Sequence, residues 1–262
     1  MAGTPTSPWP ISSSDPQSLA DYAALVGVDT SVEWMMESGE QLALLALAQG
    51  LRPQCTIEVG SHCGGSMQIF SRYSQRVISC DIDPTCPVRL GPVYPNVEFV
   101  TGPSHETLPR LLDRLQREQV AVGLMLIDGD HSLEGVQGDI HALIGYRPIT
   151  TMYVVMHDSF NPSARKGIRT ARWHENPYVH SVELDFIPGM MHKGGKFHRE
   201  MWGGFALAQL RPEARTGPLT ISARKEHFYR TVWGHSVHGL YYPLKFMKRA
   251  VSKIGRTIGI RK

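Results

Sequence analysis

Two short stretches place carboxylates and imidazoles directly after apolar runs. LMLIDGDH ends in Asp128, Asp130 and His131, and MYVVMHD ends in His157 and Asp158. If both runs are neighbouring strands of a parallel sheet, Asp128 and Asp158 converge at one edge, where two carboxylates suit a hard divalent cation. An imidazole beside them is a suitable proton acceptor near pH 7.

The same residues also have plainer explanations. An Asp followed by Gly at a strand end is common turn chemistry, and a histidine near a helix start is often a structural hydrogen bonder. Both alternatives stay open on the sequence alone.

A glycine-rich turn, EVGSHCGGS at residues 58–66, follows a β-branched apolar run and precedes helical spacing. Its glycines let a ligand approach the backbone closely, and its amides can face that ligand. The turn does not have the dinucleotide spacing GxGxxG, and no Gly-Lys-Ser or Gly-Lys-Thr follows it as in a P-loop.

The elements that must position these residues follow from the alternation of the chain. Apolar runs that each end in Asp or Gly alternate with segments long enough for helices; the runs are CTIEVG, RVISCDID, VEFVTG, VGLMLIDGD and TMYVVMHD. This predicts an α/β fold with a doubly wound, mostly parallel sheet covered on both faces. Ligands of such sheets bind beyond the carboxyl ends of the strands.

Two further segments complete the predicted architecture. Residues 32–49 have a helix pattern that ends at Gly50. After Pro162, HSVELDFIPG and MWGGFALAQL predict an antiparallel strand pair at the end of the sheet, with MMHKGGKFHRE as a mobile insertion between them.

The glycine-rich turn resembles the cofactor loop (D/E)xGxxxGxS of class I S-adenosylmethionine-dependent methyltransferases, matched here by Glu58, Gly60, Gly64 and Ser66. The resemblance implies a Rossmann-like methyltransferase fold over roughly residues 54–160, with S-adenosylmethionine as the cofactor.

The resemblance also assigns cofactor contacts along the chain. Asp81 would take the ribose hydroxyls, since a carboxylate accepts from two donors. Ser104 and His105 would lie near adenine, Glu58 would face the methionine ammonium, and Ser61 belongs to the same loop. Asp83, before Pro84, is interpreted as a solvated turn residue.

The combination of DGDH and HD is similar to the metal-dependent sugar O-methyltransferases of macrolide and aminocoumarin biosynthesis and their cephalosporin-hydroxylase-like relatives. This similarity implies that Asp128 and Asp158 bind a metal, with Asp128 also beside the methyl donor. It implies that His131 is the base, with Asp130 as its rival.

His157 departs from the pattern of that group, which often has Glu or Asp at this position. Imidazole is a softer ligand than carboxylate. The resemblance implies Mg²⁺ at Asp128, His157 and Asp158, but the imidazole favours Mn²⁺ or another transition ion as the alternative. A third alternative is that His157 binds no metal.

Residues on the acceptor side are aromatic and polar. They are Asn161, Arg165, Arg169, Trp173, His174, Tyr178 and Trp202. Such a set suits a small carbohydrate or glycoside, but most of these residues have the alternative role of covering the antiparallel pair.

Composition excludes several classes of protein. The net charge is only +3 and no RNA-binding signature is present, so nucleic acid is not expected as a partner. The longest apolar run, LALLALAQGL, is too short for a transmembrane segment, and the first residues lack a signal-peptide pattern, which predicts a cytoplasmic protein. The four cysteines form no CxxC pair and are interpreted as reduced thiols.

The predicted domain boundaries are a flexible Pro/Ser-rich segment at 1–18, a methyltransferase domain at 19–240 and a basic amphipathic tail at 241–262. The tail either remains in solvent or packs against a second subunit of a homo-oligomer, or it contacts a phosphate-bearing or membrane surface. The expected function is metal-dependent O-methylation of a sugar hydroxyl. The rivals are a metal-independent methyltransferase that uses His131 alone, and a non-catalytic protein of this fold that binds a glycan or partner.

Overall fold

The computed structural model describes residues 27–239, so the predicted segments 1–18 and 241–262 lie outside the described residues. Within this range the strands are β1 Cys55–Val59, β2 Arg76–Asp81, β3 Val97–Thr101, β4 Val122–Ile127, β5 Met152–His157, β6 Val179–Ile187, β7 Met190–Met191, β8 Met201–Trp202, β9 Phe205–Leu210 and β10 Thr220–Ser222. The helices are α1 Ser38–Leu51, α2 Met67–Tyr73, α3 Cys86–Leu90, α4 Ser104–Arg117, α5 Leu133–His141, α6 Pro162–Thr170 and α7 Glu226–His235, with a 3₁₀ turn at Trp173–Glu175.

Eight of these strands form one sheet in the order β10-β6-β9-β5-β4-β1-β2-β3. The pairs among β1 to β5 are parallel, and β9 runs antiparallel to both β5 and β6. The predicted doubly wound fold with an antiparallel C-terminal pair is therefore confirmed. The chain leaves β1 toward β2 and β3, then crosses to β4 and β5, so the order reverses between β1 and β4, where open α/β sheets bind ligands.

The apolar runs form strands because both faces of the sheet are covered. Every residue of β1 and of β4 is buried. Leu44 of α1 and Phe70 of α2 pack with sheet residues in one core cluster, whereas Leu112 of α4, Ile140 of α5 and Ile168 of α6 belong to another. This two-sided burial explains the near-continuous hydrophobicity of the central strands.

The structure corrects several predicted boundaries. The first helix begins at Ser38 rather than residue 32, because the Glu40 carboxylate accepts the Glu37 N–H and caps the helix there. The insertion between β6 and β9 contains the two-stranded sheet β7–β8. The helices α6 and α7 and the edge strand β10 were not predicted.

Most residues expected on the acceptor side stabilise the fold instead. Arg165 is buried, with its guanidinium 2.8 Å from Asp185 and 2.9 Å from Glu226. The Asn161 side chain accepts N–H groups at the start of α6, and buried Trp173 donates its indole N–H to a backbone carbonyl. The alternative role, covering the antiparallel pair, therefore applies to these residues.

All four cysteines are free thiols, and Cys55, Cys80 and Cys86 are buried. Among the helices of residues 27–239, none combines the length and the apolar character required to cross a membrane.

An ionic cluster around Glu226 generates a prediction about acid stability. Burial alone would raise the pKa of the Glu226 carboxyl, but hydrogen bonds from Arg165, Arg169 and Arg230 lower this pKa to about 2 from its ordinary 4.5. A depressed carboxyl pKa contributes stability that is fully present above the unfolded value and is lost as the pH falls toward the folded value. We expect Glu226→Gln to be less stable than the native chain at pH 7, and the difference to shrink between about pH 4.5 and pH 2.

Urea unfolding at a series of pH values measures this difference. Glu213→Gln is the matched control, because Glu213 is exposed and outside this cluster. A Glu226→Gln difference that does not change with pH would contradict the assignment.

Candidate active site

One cavity of about 1380 Å³ lies at the carboxyl edge of the sheet. It extends from the turn after β1, past the ends of β2 and β3, to the ends of β4 and β5, and β7 and β8 contribute to its outer wall. Small-molecule pockets usually measure about 300–1,000 Å³. The cavity is therefore large enough for a donor and an acceptor together.

The turn after β1 approaches the end of β4 too closely for any side chain at Gly60. Its φ is +95°, and a Cβ atom there would lie 2.2 Å from the carbonyl oxygen of Asp128. Glycine at this position lets the turn after β1 pack directly against the tip of β4.

Asp81 fixes the same turn from the end of β2. One of its oxygens accepts the N–H groups of Ser61 at 2.6 Å and His62 at 3.2 Å, and the other accepts the Asp83 N–H at 2.8 Å. A carboxylate has about four lone-pair sites, so Asp81 retains acceptor capacity for ligand hydroxyls. Asp83 accepts the Thr85 N–H at 2.8 Å, which is the predicted turn contact, and it also lines the cavity.

Most residues predicted for the site line this cavity. They are Gly60, Ser61, Ser66, Asp81, Ser104, His105, Asp128, Asp130, His131, His157 and Asp158. Glu58 and Gly64 do not line it.

Glu58 differs from its predicted contact with the methionine ammonium. It is fully buried, and its carboxyl accepts the hydroxyl groups of Ser66 and Ser79. Burial raises the pKa of this carboxyl to about 7. Glu58 therefore supports the turn from the side away from the cavity. Gly64 belongs to the same turn: its φ is +82°, and a Cβ atom there would lie 2.9 Å from the Leu90 side chain.

Asp130, the predicted rival base, lines the cavity and also contacts the start of α5. Its two oxygens accept the backbone N–H of Ser132 at 2.8 Å and the Ser132 hydroxyl at 2.9 Å. Ser132 in turn caps α5. Asp130 thus serves the start of the helix.

The tips of β4 and β5 bring Asp128, His157 and Asp158 together. Asp128 Oδ1 lies 2.6 Å from His157 Nδ1, and Asp158 Oδ2 lies 3.8 Å from the same nitrogen. Both carboxylates therefore face the same side of the sheet edge. Asp158 has a left-handed backbone, with φ 56°, which turns its side chain back toward the cavity.

His131 forms a second carboxylate–imidazole pair. Its Nδ1 lies 3.0 Å from Asp158 Oδ2, and its side chain is 37% exposed, so part of the ring faces the cavity. The hydrogen bond to Asp158 raises the pKa of the His131 imidazole. With Nδ1 engaged in this way, Nε2 is the nitrogen left to act on a ligand.

Glu40 is a residue of the candidate site that sequence reasoning missed. Its carboxylate is almost fully buried, accepts the Gly204 N–H, and lies 3.4 Å from His157 Nε2. The adjacent Gly203 N–H donates to Asp158 Oδ1 at 2.5 Å, so one glycine pair anchors both carboxylates. A signal did exist, because Glu40 lies on the same helical stripe as buried Leu44 and Ala48.

His157 is buried between carboxylates on both of its nitrogens. Burial alone would lower the pKa of the His157 imidazole, but the charge of Asp128, its hydrogen bond, and the nearby carboxylates of Glu40 and Asp158 raise this pKa well above the ordinary value. Burial alone would raise the pKa of the Asp158 carboxyl, but the hydrogen bond from His131 and the charges of the two imidazoles lower this pKa below its ordinary value.

The donor set fits a divalent cation. Asp128, His131 and His157 each offer one ligand atom, and these atoms all lie within 4.8 Å of one another. Each imidazole also has a carboxylate beside it: Asp158 lies 3.0 Å from His131 Nδ1, and Glu40 lies 3.4 Å from His157 Nε2. Metal-binding histidines typically have such partners, and two imidazoles beside a carboxylate favour a transition ion.

An aromatic wall extends outward from His131. The rings of Trp202 and His131 are 6.0 Å apart, those of Phe197 and Trp202 5.9 Å, and those of His192 and Phe197 6.0 Å. All four residues line the cavity. Of the aromatic and polar residues expected on the acceptor side, Trp202 is the one that lines it.

Comparison with known proteins supports the methyltransferase class. Residues 57–159 match the model of a family described as a methyltransferase domain, and this range includes the turn, Asp81 and both acidic strand tips. The match agrees with the class predicted from the sequence. Curated proteins show no significant match to the chain.

Several solved structures resemble the fold. Cofactor-bound Rv0187 from MTB is 22% identical, with a TM-score of 0.48, and the alignment covers 74% of this chain and 88% of that one. An O-methyltransferase from Bacillus cereus in complex with SAH is 17% identical, with the same coverage and TM-score. The O-methyltransferase TomG from Streptomyces achromogenes, involved in tomaymycin synthesis and solved with SAM, is 18% identical over 73% of this chain and 87% of that one, with a TM-score of 0.47.

The position of Glu40 generates a prediction about cation binding. Glu40→Gln keeps the shape of the side chain but removes the charge that faces His157 Nε2. Loss of such a carboxylate partner typically costs about 10- to 100-fold in metal affinity. We expect a loss of this size in Mn²⁺ affinity, measured by electron paramagnetic resonance.

Glu134→Gln is the control, because Glu134 is an exposed carboxylate that lines the same cavity. Equal Mn²⁺ affinity in Glu40→Gln and the native chain, with both folded by circular dichroism, would remove Glu40 from the site.

Proposed function

We propose that this protein is an S-adenosylmethionine-dependent O-methyltransferase that transfers a methyl group to a hydroxyl of a sugar or glycosylated small molecule, with a divalent cation at the tips of β4 and β5. One observation carries the proposal. Asp128 Oδ1 lies 2.6 Å and Asp158 Oδ2 lies 3.8 Å from His157 Nδ1, and these three residues share one cavity with the glycine-rich turn and Asp81.

The donor half of the cavity supports S-adenosylmethionine as the cofactor. Asp81 retains acceptor capacity for a ribose diol, and the lack of a side chain at Gly60 lets the glycine-rich turn pack directly against the β4 tip. Ser104 and His105 line the part of the cavity after β3, where the adenine ring is placed in this proposal.

Asp128, His157 and Asp158 would hold the cation. Their carboxylates accept both Mg²⁺ and Mn²⁺, and the imidazole of His157 favours Mn²⁺. A divalent cation bound there lowers the cost of removing the proton from an acceptor hydroxyl. Gly203 and Glu40 keep Asp158 and His157 oriented toward the cavity.

His131 is the base in this proposal. Asp158 holds its Nδ1 at 3.0 Å, which orients the ring and leaves Nε2 to accept the hydroxyl proton. A positioned base of this kind contributes about 10² to 10⁴ in rate.

A second role for His131 is favoured by a separate observation. Its ligand atom belongs to the group of three within 4.8 Å of one another, so His131 could be the third metal ligand, with Asp158 as its partner. The two roles give different results in the experiment on His131 below.

The acceptor half supports a ring-shaped, hydroxyl-rich substrate. Trp202 and Phe197 provide apolar ring faces, and the polar strand tips lie directly beyond them. The stretch ARWHENPYVH resembles the 1-O-methyltransferase of the mycobacterial methylmannose polysaccharide pathway, so short methylated mannosides belong in the acceptor panel.

Chelation tests the cation directly. A panel of glycosides with labelled methyl donor should show transfer that is lost in excess EDTA and restored by Mn²⁺ or Mg²⁺. Asp128→Asn should lose both Mn²⁺ binding and turnover. Full activity in EDTA would leave the metal-independent mechanism, and cofactor binding without transfer to any glycoside would favour a non-catalytic binding protein.

Replacement of His131 separates its two roles. If His131 is the base, His131→Gln should lower kcat by about 10² to 10⁴ while Mn²⁺ affinity stays unchanged. His227→Gln is the control, because His227 is an exposed residue of α7 outside the cavity. A parallel loss of Mn²⁺ affinity in His131→Gln would instead make His131 a ligand.

A further inference from the structure

A second group of ligand-type side chains lies at another part of the cavity wall. Glu33, from the loop before α1, and His62 and Cys63, from the turn after β1, each offer one ligand atom within 4.8 Å of the others. We call these three residues the outer cluster. It shares no residue with the site at the tips of β4 and β5.

The spacing of the outer cluster fits a tetrahedral ion. Cys63 Sγ lies 3.8 Å from Glu33 Oε2. With metal–ligand distances of about 2.3 Å for sulfur and 2.1 Å for oxygen, a tetrahedral zinc site separates these atoms by about 3.6 Å. The pair is therefore already close to the separation that a shared ion requires.

The backbone that presents His62 and Cys63 is held on both sides. His62 has a left-handed conformation, with φ 43°. Its N–H donates to Asp81 at 3.2 Å, and its carbonyl accepts from Arg89 at 3.1 Å. The Arg89 guanidinium also forms an ion pair with Asp83 at 3.3 Å. This ion pair partly neutralises the positive charge of Arg89 next to the outer cluster.

The chemistry of the donors selects the ion. A thiolate, an imidazole and a carboxylate are the ligand types of Zn²⁺ sites, and three protein ligands leave the fourth position open. Mg²⁺ and Ca²⁺ prefer oxygen ligands alone. Glu33 and His62 are exposed and Cys63 is half-buried, so an ion can enter from solvent.

We propose that Glu33, His62 and Cys63 form a binding site for Zn²⁺ or another thiophilic divalent ion, separate from the site at Asp128. The outer cluster lines the cavity beside Ser61 and Asp81. A bound ion therefore reduces the space in the part of the cavity where the methyl donor is proposed to bind. This consequence for the methyl donor rests on the proposed function, whereas the ion site itself does not.

Titration of the full chain with Co²⁺ as a zinc substitute tests the site. A cobalt–thiolate bond produces a charge-transfer absorption band in the near ultraviolet, which oxygen and nitrogen ligands do not give. We expect this band in the native chain and in Asp128→Asn, and we expect Cys63→Ser to abolish it. His62→Gln should weaken Co²⁺ binding.

Cys86→Ser is the matched control, because Cys86 is a buried cysteine on the same cavity wall, and it should retain the band. A band that is absent from the native chain, or one that persists in Cys63→Ser, overturns the proposal. Circular dichroism of each variant shows whether the chain is still folded, and Glu33→Gln provides a second variant that leaves the thiol in place and should weaken binding.

Calorimetry with S-adenosylhomocysteine tests the consequence for the donor half. Zn²⁺ should weaken its binding in the native chain but not in Cys63→Ser, and equal binding with and without Zn²⁺ in the native chain overturns the competition. Complete failure of S-adenosylhomocysteine to bind counts against the proposed function, while the cobalt band still decides the ion site.

Discussion

The parallel pairing of β4 with β5 is the constraint on which the site depends. Ile127 and Met156 are paired in register, so the next residues, Asp128 and His157, emerge at the same level of the sheet edge. The Asp128 N–H also donates to the Val59 carbonyl at 2.9 Å. This hydrogen bond joins the end of β1 to the tip of β4, so the position of Asp128 depends on both β1 and β5. The next residue after Val59, Gly60, packs against the Asp128 carbonyl because it has no side chain.

Carboxylates and imidazoles alternate at the strand tips, and this arrangement allows the carboxylates to be buried. An isolated buried carboxylate is costly, yet Glu40 and Asp158 are only 2% and 4% exposed. Each is stabilised by a glycine N–H and a neighbouring imidazole. Protonation of the imidazoles and binding of a cation balance the same negative charge, so the two processes are expected to compete.

The sequence was sufficient for the parallel strands β1 to β5 and the antiparallel pair, and insufficient for the edge strand β10 and for contacts between distant segments. The five parallel strands and their polar tips were predictable because each apolar run is bounded by Gly or Asp. Arg165 was assigned to the acceptor because its acidic partners, Asp185 and Glu226, are distant in sequence and meet it only in the folded chain. Glu40 was overlooked for the same reason, since its partners His157 and Gly204 lie more than a hundred residues further along.

The imidazole at position 157 and the acid at position 40 depend on each other. With an acid at 157, three carboxylates from positions 40, 128 and 157 would face one another in a largely buried space, and their mutual repulsion would oppose folding. His157 instead places one nitrogen against Asp128 and the other against Glu40. His157 therefore separates two carboxylates, and through Glu40 it connects α1, which lies outside the matched range of residues 57–159, to the strand tips.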